Sequence, residues 1–337
     1  MNISLKPVLS RLAQGETLTA IEAEAAFGIV MDGQATPAQI GGMLMAMRTR
    51  GETVAELTGV VTALRKRMAR VEAPAGAIDV CGTGGDGAAS LNISTAVTFV
   101  LTACGVPVAK HGNKALSSRA GGADVLTALG IGIEPPPDQL STILRQVGCV
   151  FLFAPRHHPA LRHAASVRVE LGTRTIFNLT GPLANPAEVK RQLMGVYDPK
   201  WLRPVAETLR DLGSEAVWVV HGGGMDELVL DGENAVTSLK DGVIRDFTIT
   251  AQDACLPASP ASALKGGDAS YNAAALLALL RGESGAYRDT VLLNASAALV
   301  MADHVQTLPQ GVALAAQMID DGAALVVLER LKTASGN

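Results

Sequence analysis

Ala77-Ile78-Asp79-Val80-Cys81-Gly82-Thr83-Gly84-Gly85-Asp86-Gly87 runs from a short strand-like segment straight into a glycine-rich turn, and the fold class follows from that junction. Glycines accept positive φ and let a backbone approach a ligand closely. Successive N–H groups in such a turn form an anion-binding concavity. Ser90-Leu91-Asn92-Ile93-Ser94-Thr95 comes next and leads into an apolar helical stripe. A second strand-like run, Val106–Ala109, ends in the basic turn Lys110-His111-Gly112-Asn113-Lys114, with Ser117-Ser118 beyond it. Two turns of this kind, with hydroxyls and a lysine between them, point to one ligand carrying several phosphates.

Outward from this pair, short apolar runs alternate with helical stripes. Ala77–Val80, Val106–Ala109, Cys149–Phe153 and Ala216–Val220 read as strands; Ser94–Ala103, Ala123–Leu129 and Gln139–Val147 read as helices. That alternation predicts an α/β domain with a mainly parallel central sheet. Glu227–Leu230, Ala235–Leu239 and Val243–Thr248 predict a short antiparallel addition, with turns at Asp231-Gly232 and Asp241-Gly242. Ala273–Leu280 and Thr290–Met301 return to helix.

Upstream, the first seventy residues read as helix alone. Thr19 with Glu22 and Thr53 with Glu56 make capping boxes, Thr36-Pro37 is a cap followed by proline, and Gly15, Gly33 and Gly51 mark the stops. The expected division is a small helical domain, 1–72, completed by about 162–188, and an α/β domain of 73–161 and 189–337.

A net charge of −4 and 3% aromatic residues give no basic field and no stacking platform for nucleic acid. Cys81, Cys104, Cys149 and Cys255 are scattered in apolar contexts and fit no metal pattern, so buried reduced thiols in a cytoplasmic protein are expected. Met1–Pro7 lacks the charged and apolar regions of a signal peptide. The uncharged stretch from Gly87 to Ala109 contains Asn92, Gly105 and Pro107, and reads as a helix plus a strand rather than a membrane span.

Gly82-x-Gly84-x-x-Gly87 meets the dinucleotide fingerprint only formally. No helix opens at once, and no acid lies between Gly87 and Ala109. A tight loop without a ligand stays open for this turn taken alone. Asp86 inside it suits accepting from sugar hydroxyls or holding the loop closed. Ser94-Thr95 at a helix start suits a phosphate, with ordinary N-capping as the plain alternative. Lys110 offers a point charge to phosphate oxygens, although an isolated lysine is usually solvated. Asp226-Glu227 follows Gly222-Gly223-Gly224 and suits magnesium if phosphates bind nearby; adjacent loop carboxylates are otherwise solvated. His157-His158 lacks zinc spacing, which leaves a ligand-facing role for one ring. Arg168 suits a carboxylate clamp or a surface ion pair.

In chain order, the Gly82–Gly87 turn, Asn92-Ile93-Ser94-Thr95, Lys110-His111-Gly112-Asn113, Ala123-Asp124-Val125-Leu126, His157-His158-Pro159-Ala160, Arg174-Thr175-Ile176-Phe177-Asn178, Gly181-Pro182-Leu183, Asp226-Glu227, and Arg288-Asp289 with Asn294 form one ordered set. It resembles the anthranilate phosphoribosyltransferases, the tryptophan-pathway members of the nucleoside phosphorylase-like phosphoribosyltransferase family. The resemblance implies transfer of ribose 5-phosphate from phosphoribosyl pyrophosphate to the amine of anthranilate, by a homodimer joined through its helical domains, with no nucleic-acid or membrane partner.

It also implies the site. The donor would lie on Gly82, Gly85, Asp86, Ser90, Asn92, Ile93, Ser94, Thr95, Lys110, His111, Gly112, Asn113, Lys114, Ala115, Leu116, Ser117, Ser118 and Gly122. Anthranilate would meet Gly82, His111, Asn113, His158, Arg168 and Pro182. Two Mg2+ ions per subunit would sit on Ser94, Asp226 and Glu227, and catalysis would fall to Lys110, Arg168, Asp226 and Glu227. Gly122, Ser166 and Thr180 depart from the family's usual residues without removing a charge. Two other readings compete. A pyrimidine nucleoside phosphorylase carries a Lys-His-Ser-Thr-Gly-Gly-type turn that is missing here. A non-catalytic nucleic-acid-binding relative fits poorly with Asp226-Glu227, Arg168 and the negative charge.

Overall fold

The computed structural model describes residues 4–115 and 119–336. The chain opens with four helices, α1 (Lys6–Ala13), α2 (Ala20–Met31), α3 (Pro37–Arg50) and α4 (Val54–Arg65). Thr19 with Glu22, Thr36 with Gln39 and Thr53 with Glu56 form reciprocal capping boxes on the last three. Glu56 does more than cap. Fully buried, it also accepts from the Leu18 amide at 2.9 Å and pairs with Arg50, so a charge shut away from water is balanced.

Among the described residues, seven strands form one sheet: β1 (Ile78–Gly82), β2 (Val108–Gly112), β3 (Cys149–Phe153), β4 (Arg191–Gly195), β5 (Ala216–Gly222), β6 (Asn234–Lys240) and β7 (Val243–Ile249). Their order is β3-β2-β1-β4-β5-β6-β7, with the first five parallel and the last two antiparallel. The chain builds outward from β1 through β2 to β3, then returns to place β4 on the other side of β1. This reversal is the topological switch point of an open parallel sheet, and the crevice beyond the carboxyl ends of β1 and β4 is where such sheets bind ligands. The β6–β7 hairpin closes through Asp241-Gly242, at φ of 50° and 78°, the two-residue turn expected of that pair.

Two strand expectations need correction. Arg191–Gly195 is a central strand that no apolar run announces, because Gln192 is buried with its amide satisfied: Nε2 donates to the Pro182 carbonyl at 2.9 Å and to Asp79 Oδ2 at 3.3 Å. Conversely, Glu227–Leu230 is not a strand. Leu228, Val229 and Leu230 are buried, but the backbone of the first two is satisfied by side-chain amides. Asn294 bonds both the N–H and the carbonyl of Leu228 (3.1 and 2.8 Å), and Asn234 does the same for Val229 (2.7 and 2.9 Å). Two asparagines take the place of a ladder.

The remaining helices are α5 (Ile93–Ala103), α6 (Gly122–Ala128), α7 (Pro137–Val147), α8 (Ala154–His157), α9 (Arg162–Leu171), α10 (Phe177–Leu183), α11 (Leu202–Asp211), α12 (Ala269–Leu280), α13 (Ala286–Met301), α14 (Leu308–Asp320) and α15 (Ala323–Ala334). One face of the sheet packs on α5, α7 and α13, with α14 and α15 packed against those helices. The other face presents Cys81, Met194, Val217, Val219 and Leu239 to α11, α2–α4, α9 and α10, making a single continuous core. Helix α9 contacts α2 and α3, and α10 contacts α4. The uncharged stretch after Gly87 folds into α5 and leads into β2, and among the described residues no single helix is long and apolar enough to cross a membrane. All four cysteines are free thiols, but only Cys81 and Cys149 are buried as expected; Cys104 is half-buried, and Cys255 is exposed in a left-handed turn at φ 56°.

Candidate active site at the carboxyl edge of the sheet

A cleft of about 340 Å³ opens at the switch point. Its floor depends on strand ends that carry no side chain. A Cβ at Gly82 would lie 2.2 Å from Asp226 Oδ2, and one at Gly195 only 1.5 Å from the Asp226 carbonyl oxygen. Gly82 and Gly195 are register partners on β1 and β4, so this pair lets the Asp226-Glu227 loop lie flat across the sheet edge. Gly222 on β5 similarly makes room for Asn234, whose Oδ1 would sit 1.9 Å from an added Cβ.

Three carboxylates converge there. Asp226 Oδ2 accepts from the Gly84 amide at 2.6 Å, and Glu227 Oε1 accepts from the Ser94 amide at 3.3 Å. Burial pushes the Asp226 carboxyl up, and the nearby Asp86 charge adds to this. Glu227 is pushed up likewise, by burial first and then by Asp226, against a downward pull from Lys110. Lys110 is itself buried; its Nζ donates to the Val80 carbonyl at 2.7 Å and to Ser94 Oγ at 3.1 Å. Asn92, the N-cap of α5, makes no side-chain cap bond; Glu227, from a distant loop, takes the Ser94 amide instead.

This donor set suits a hard divalent cation. Carboxylates that repel one another with one ammonium nearby gain from such a charge. Among the described residues, no group of three or more His, Cys, Asp or Glu side chains is placed to hold a metal ion by itself. An incomplete oxygen set is what magnesium uses when substrate phosphates supply the remaining positions.

On the opposite wall, Arg168 of α9 is half-buried, and its loss of solvent lowers its pKa. Its guanidinium lies 5.4 Å from the Phe177 ring centre, with no carboxylate partner among the described residues. The His111 and His158 rings, 5.2 Å apart, line the space between. His111 Nδ1 is 2.9 Å from the Gly181 carbonyl, while Nε2 is buried without a partner. His157 does not line the cleft; its Nδ1 meets the Ala69 carbonyl at 2.8 Å.

Two family models match, one described as the glycosyl transferase family helical bundle domain over residues 6–68 and the other as the a/b domain of that family over residues 75–325. A protein of Mesorhizobium japonicum named anthranilate phosphoribosyltransferase is 57% identical over 97% of this chain and 98% of its own length. The chain belongs to the anthranilate phosphoribosyltransferase family. The solved anthranilate phosphoribosyltransferase of Thermus thermophilus superposes with a TM-score of 0.93 at 42% identity, covering 98% of this chain and 99% of that one. The yeast enzyme, described as in complex with PRPP and Mg, shares the fold with a TM-score of 0.90 at 23% identity, covering 99% of each chain.

The cleft brings together every site residue that resemblance to the anthranilate phosphoribosyltransferases implied, apart from Leu116, Ser117 and Ser118, which lie outside the described residues. Further lining residues were not assigned to the site. Phe151 looks like an ordinary core aromatic, while Phe177 and Asn178 belong to the segment 174–178 that carries the resemblance but had no role given to them. Gly195 gave no signal, because its role depends on a loop thirty residues away.

Burial holds His158 down to about 4 and lowers His157 and His111 as well. In the unfolded chain these rings titrate at ~6.5. Below that pH the unfolded state takes up protons that the folded state does not, so stability is complete above ~6.5 and falls as pH drops toward 4. We expect the urea midpoint to fall between pH 7.5 and 5.0, and to fall less in His158→Gln. Equal falls in the two proteins would exclude a contribution from this ring.

Proposed function

We propose that this protein transfers the 5-phosphoribosyl group from phosphoribosyl pyrophosphate to the amine of anthranilate, releasing pyrophosphate, in tryptophan biosynthesis. The observation carrying this reading is the pairing of a glycine-rich, carboxylate-bearing donor cleft with a half-buried Arg168 on its far wall that has no carboxylate partner among the described residues. Free phosphate alone would not call for a carboxylate clamp there.

The donor's C1–O bond breaks as the amine nitrogen bonds to C1 from the opposite face, and the nitrogen then releases its proton. An arylamine is weakly basic, so no strong general base is required. The helix start at Ser94-Thr95, the loop amides of 82–87 and the basic turn from Lys110 to Ala115 hold the donor and bear its developing negative charge. Ser94, Asp226 and Glu227 would hold magnesium, in our reading two ions per subunit, which neutralises pyrophosphate charge when bound. Arg168 would clamp the acceptor carboxylate in line with C1, with His111, Asn113, His158 and Pro182 along its route.

We further assign residues 1–72 and about 162–188 to one helical domain and the rest to the donor-binding domain. The α9 and α10 contacts with α2–α4 support this division. A cytoplasmic homodimer joined through the helical domains completes the proposal. Ile21 on α2 and Val169 on α9, each 81% exposed, supply apolar surface for that contact.

Loss of anthranilate fluorescence on adding donor and magnesium, absent when any component is omitted, tests the reaction. Arg168→Ala is expected to raise the anthranilate KM by roughly tenfold to a hundredfold, the worth of a lost charged hydrogen-bond pair. The donor KM should change far less, and equal rises in both would sink the assignment.

A further inference from the structure

The loop Gly82–Gly87 has unusual freedom, with Gly84, Gly85 and Gly87 at φ of 66°, 76° and 80°. Ordering three such residues costs more backbone entropy than ordering any others, so something must hold them. Most of the restraints come from the sheet edge. The Thr83 amide donates to the Gly195 carbonyl at 3.0 Å, Thr83 Oγ1 accepts from the Tyr197 amide at 3.0 Å, and the Gly84 amide is held by Asp226. One restraint does not. Arg174, on the connector between α9 and α10, donates through Nη2 to the Gly85 carbonyl. Its guanidinium lies 4.1 Å from the centre of the Tyr197 ring, whose hydroxyl is fixed by Trp201 Nε1 at 3.1 Å.

In a trans peptide the carbonyl and the following N–H point in opposite directions. Holding the Gly85 carbonyl on Arg174 therefore turns the Asp86 amide away from Arg174. That amide has no acceptor among the described residues, and both Gly85 and Asp86 line the cleft. We propose that Arg174 is a positioning residue for the phosphoribosyl donor, stacking on Tyr197 and pinning the Gly85 carbonyl so that the next amide stays available to an anion. The inference rests on the donor-cleft reading above.

The test compares wild type, Arg174→Ala and Arg174→Lys. The readouts are melting temperature, KM for each substrate, kcat, and calorimetric binding of phosphoribosyl pyrophosphate with magnesium. Arg174→Ala should weaken donor binding and raise the donor KM about tenfold, the value of one hydrogen bond from a charged group. The anthranilate KM should stay within about twofold on the same argument. Lysine, or added guanidinium ion with the alanine variant, should restore part of the loss. An unchanged donor affinity overturns the proposal, as does a loss that tracks melting temperature and is rescued by neither. A wild type that binds no donor would instead refute the parent reading.

Discussion

Replacing both loop carboxylates, Asp226→Asn with Glu227→Gln, is expected to lower turnover by roughly three orders of magnitude while leaving the folded protein as stable as wild type or more so. The two effects have one cause. These side chains sit close together at a buried edge, where burial and mutual repulsion disfavour their charges. Amides relieve that repulsion, and an amide oxygen can still accept from Gly84 and Ser94. The charge that stabilises the departing pyrophosphate through magnesium is lost. Steady-state rates over a magnesium titration, read beside melting curves, check both halves. A near-normal rate at saturating magnesium would remove these residues from the metal site.

Gly195→Ala is the second large effect. The added methyl would have to occupy space 1.5 Å from a main-chain oxygen, so no side-chain rotation relieves it. Either β4 or the Asp226 loop must shift, at a cost of about 3 kcal/mol or more. Activity should fall nearly as far as in the double carboxylate variant, with an unfolding midpoint clearly below wild type. Gly82→Ala makes an informative contrast, because its nearest clash is with a carboxylate oxygen that can swing aside. There the Gly84 bond is lost and rate suffers more than stability. Equal destabilisation by the two alanines would contradict this account of the sheet edge.

The elements legible in the sequence were those specified by neighbours along the chain. The capping boxes at Thr19 and Thr53, the Thr36-Pro37 helix start and the Asp241-Gly242 hairpin each depend on residues within three or four positions. What stayed hidden depends on partners far along the chain. Strand β4 escaped notice because Gln192 is polar yet satisfied by Pro182 and Asp79. Glu227–Leu230 imitated a strand because its apolar residues are buried as strand residues would be, while Asn234 and Asn294 take up its backbone groups. Within the cleft, the charged residues stood out by type. The glycine at 195 and the arginine at 174 gain meaning only from contacts that the fold creates.

The core shared by the amino-terminal helices and one face of the sheet has a consequence for dissecting this protein. Cutting the chain after residue 72 would take α2–α4 away from a core that Met194, Val217 and Val219 share with them, leaving only α9–α11 over that face, and would expose the apolar side of the helical fragment. Neither piece would be a self-sufficient folding unit. Calorimetry on the intact polypeptide should accordingly record one endotherm, with both halves melting together.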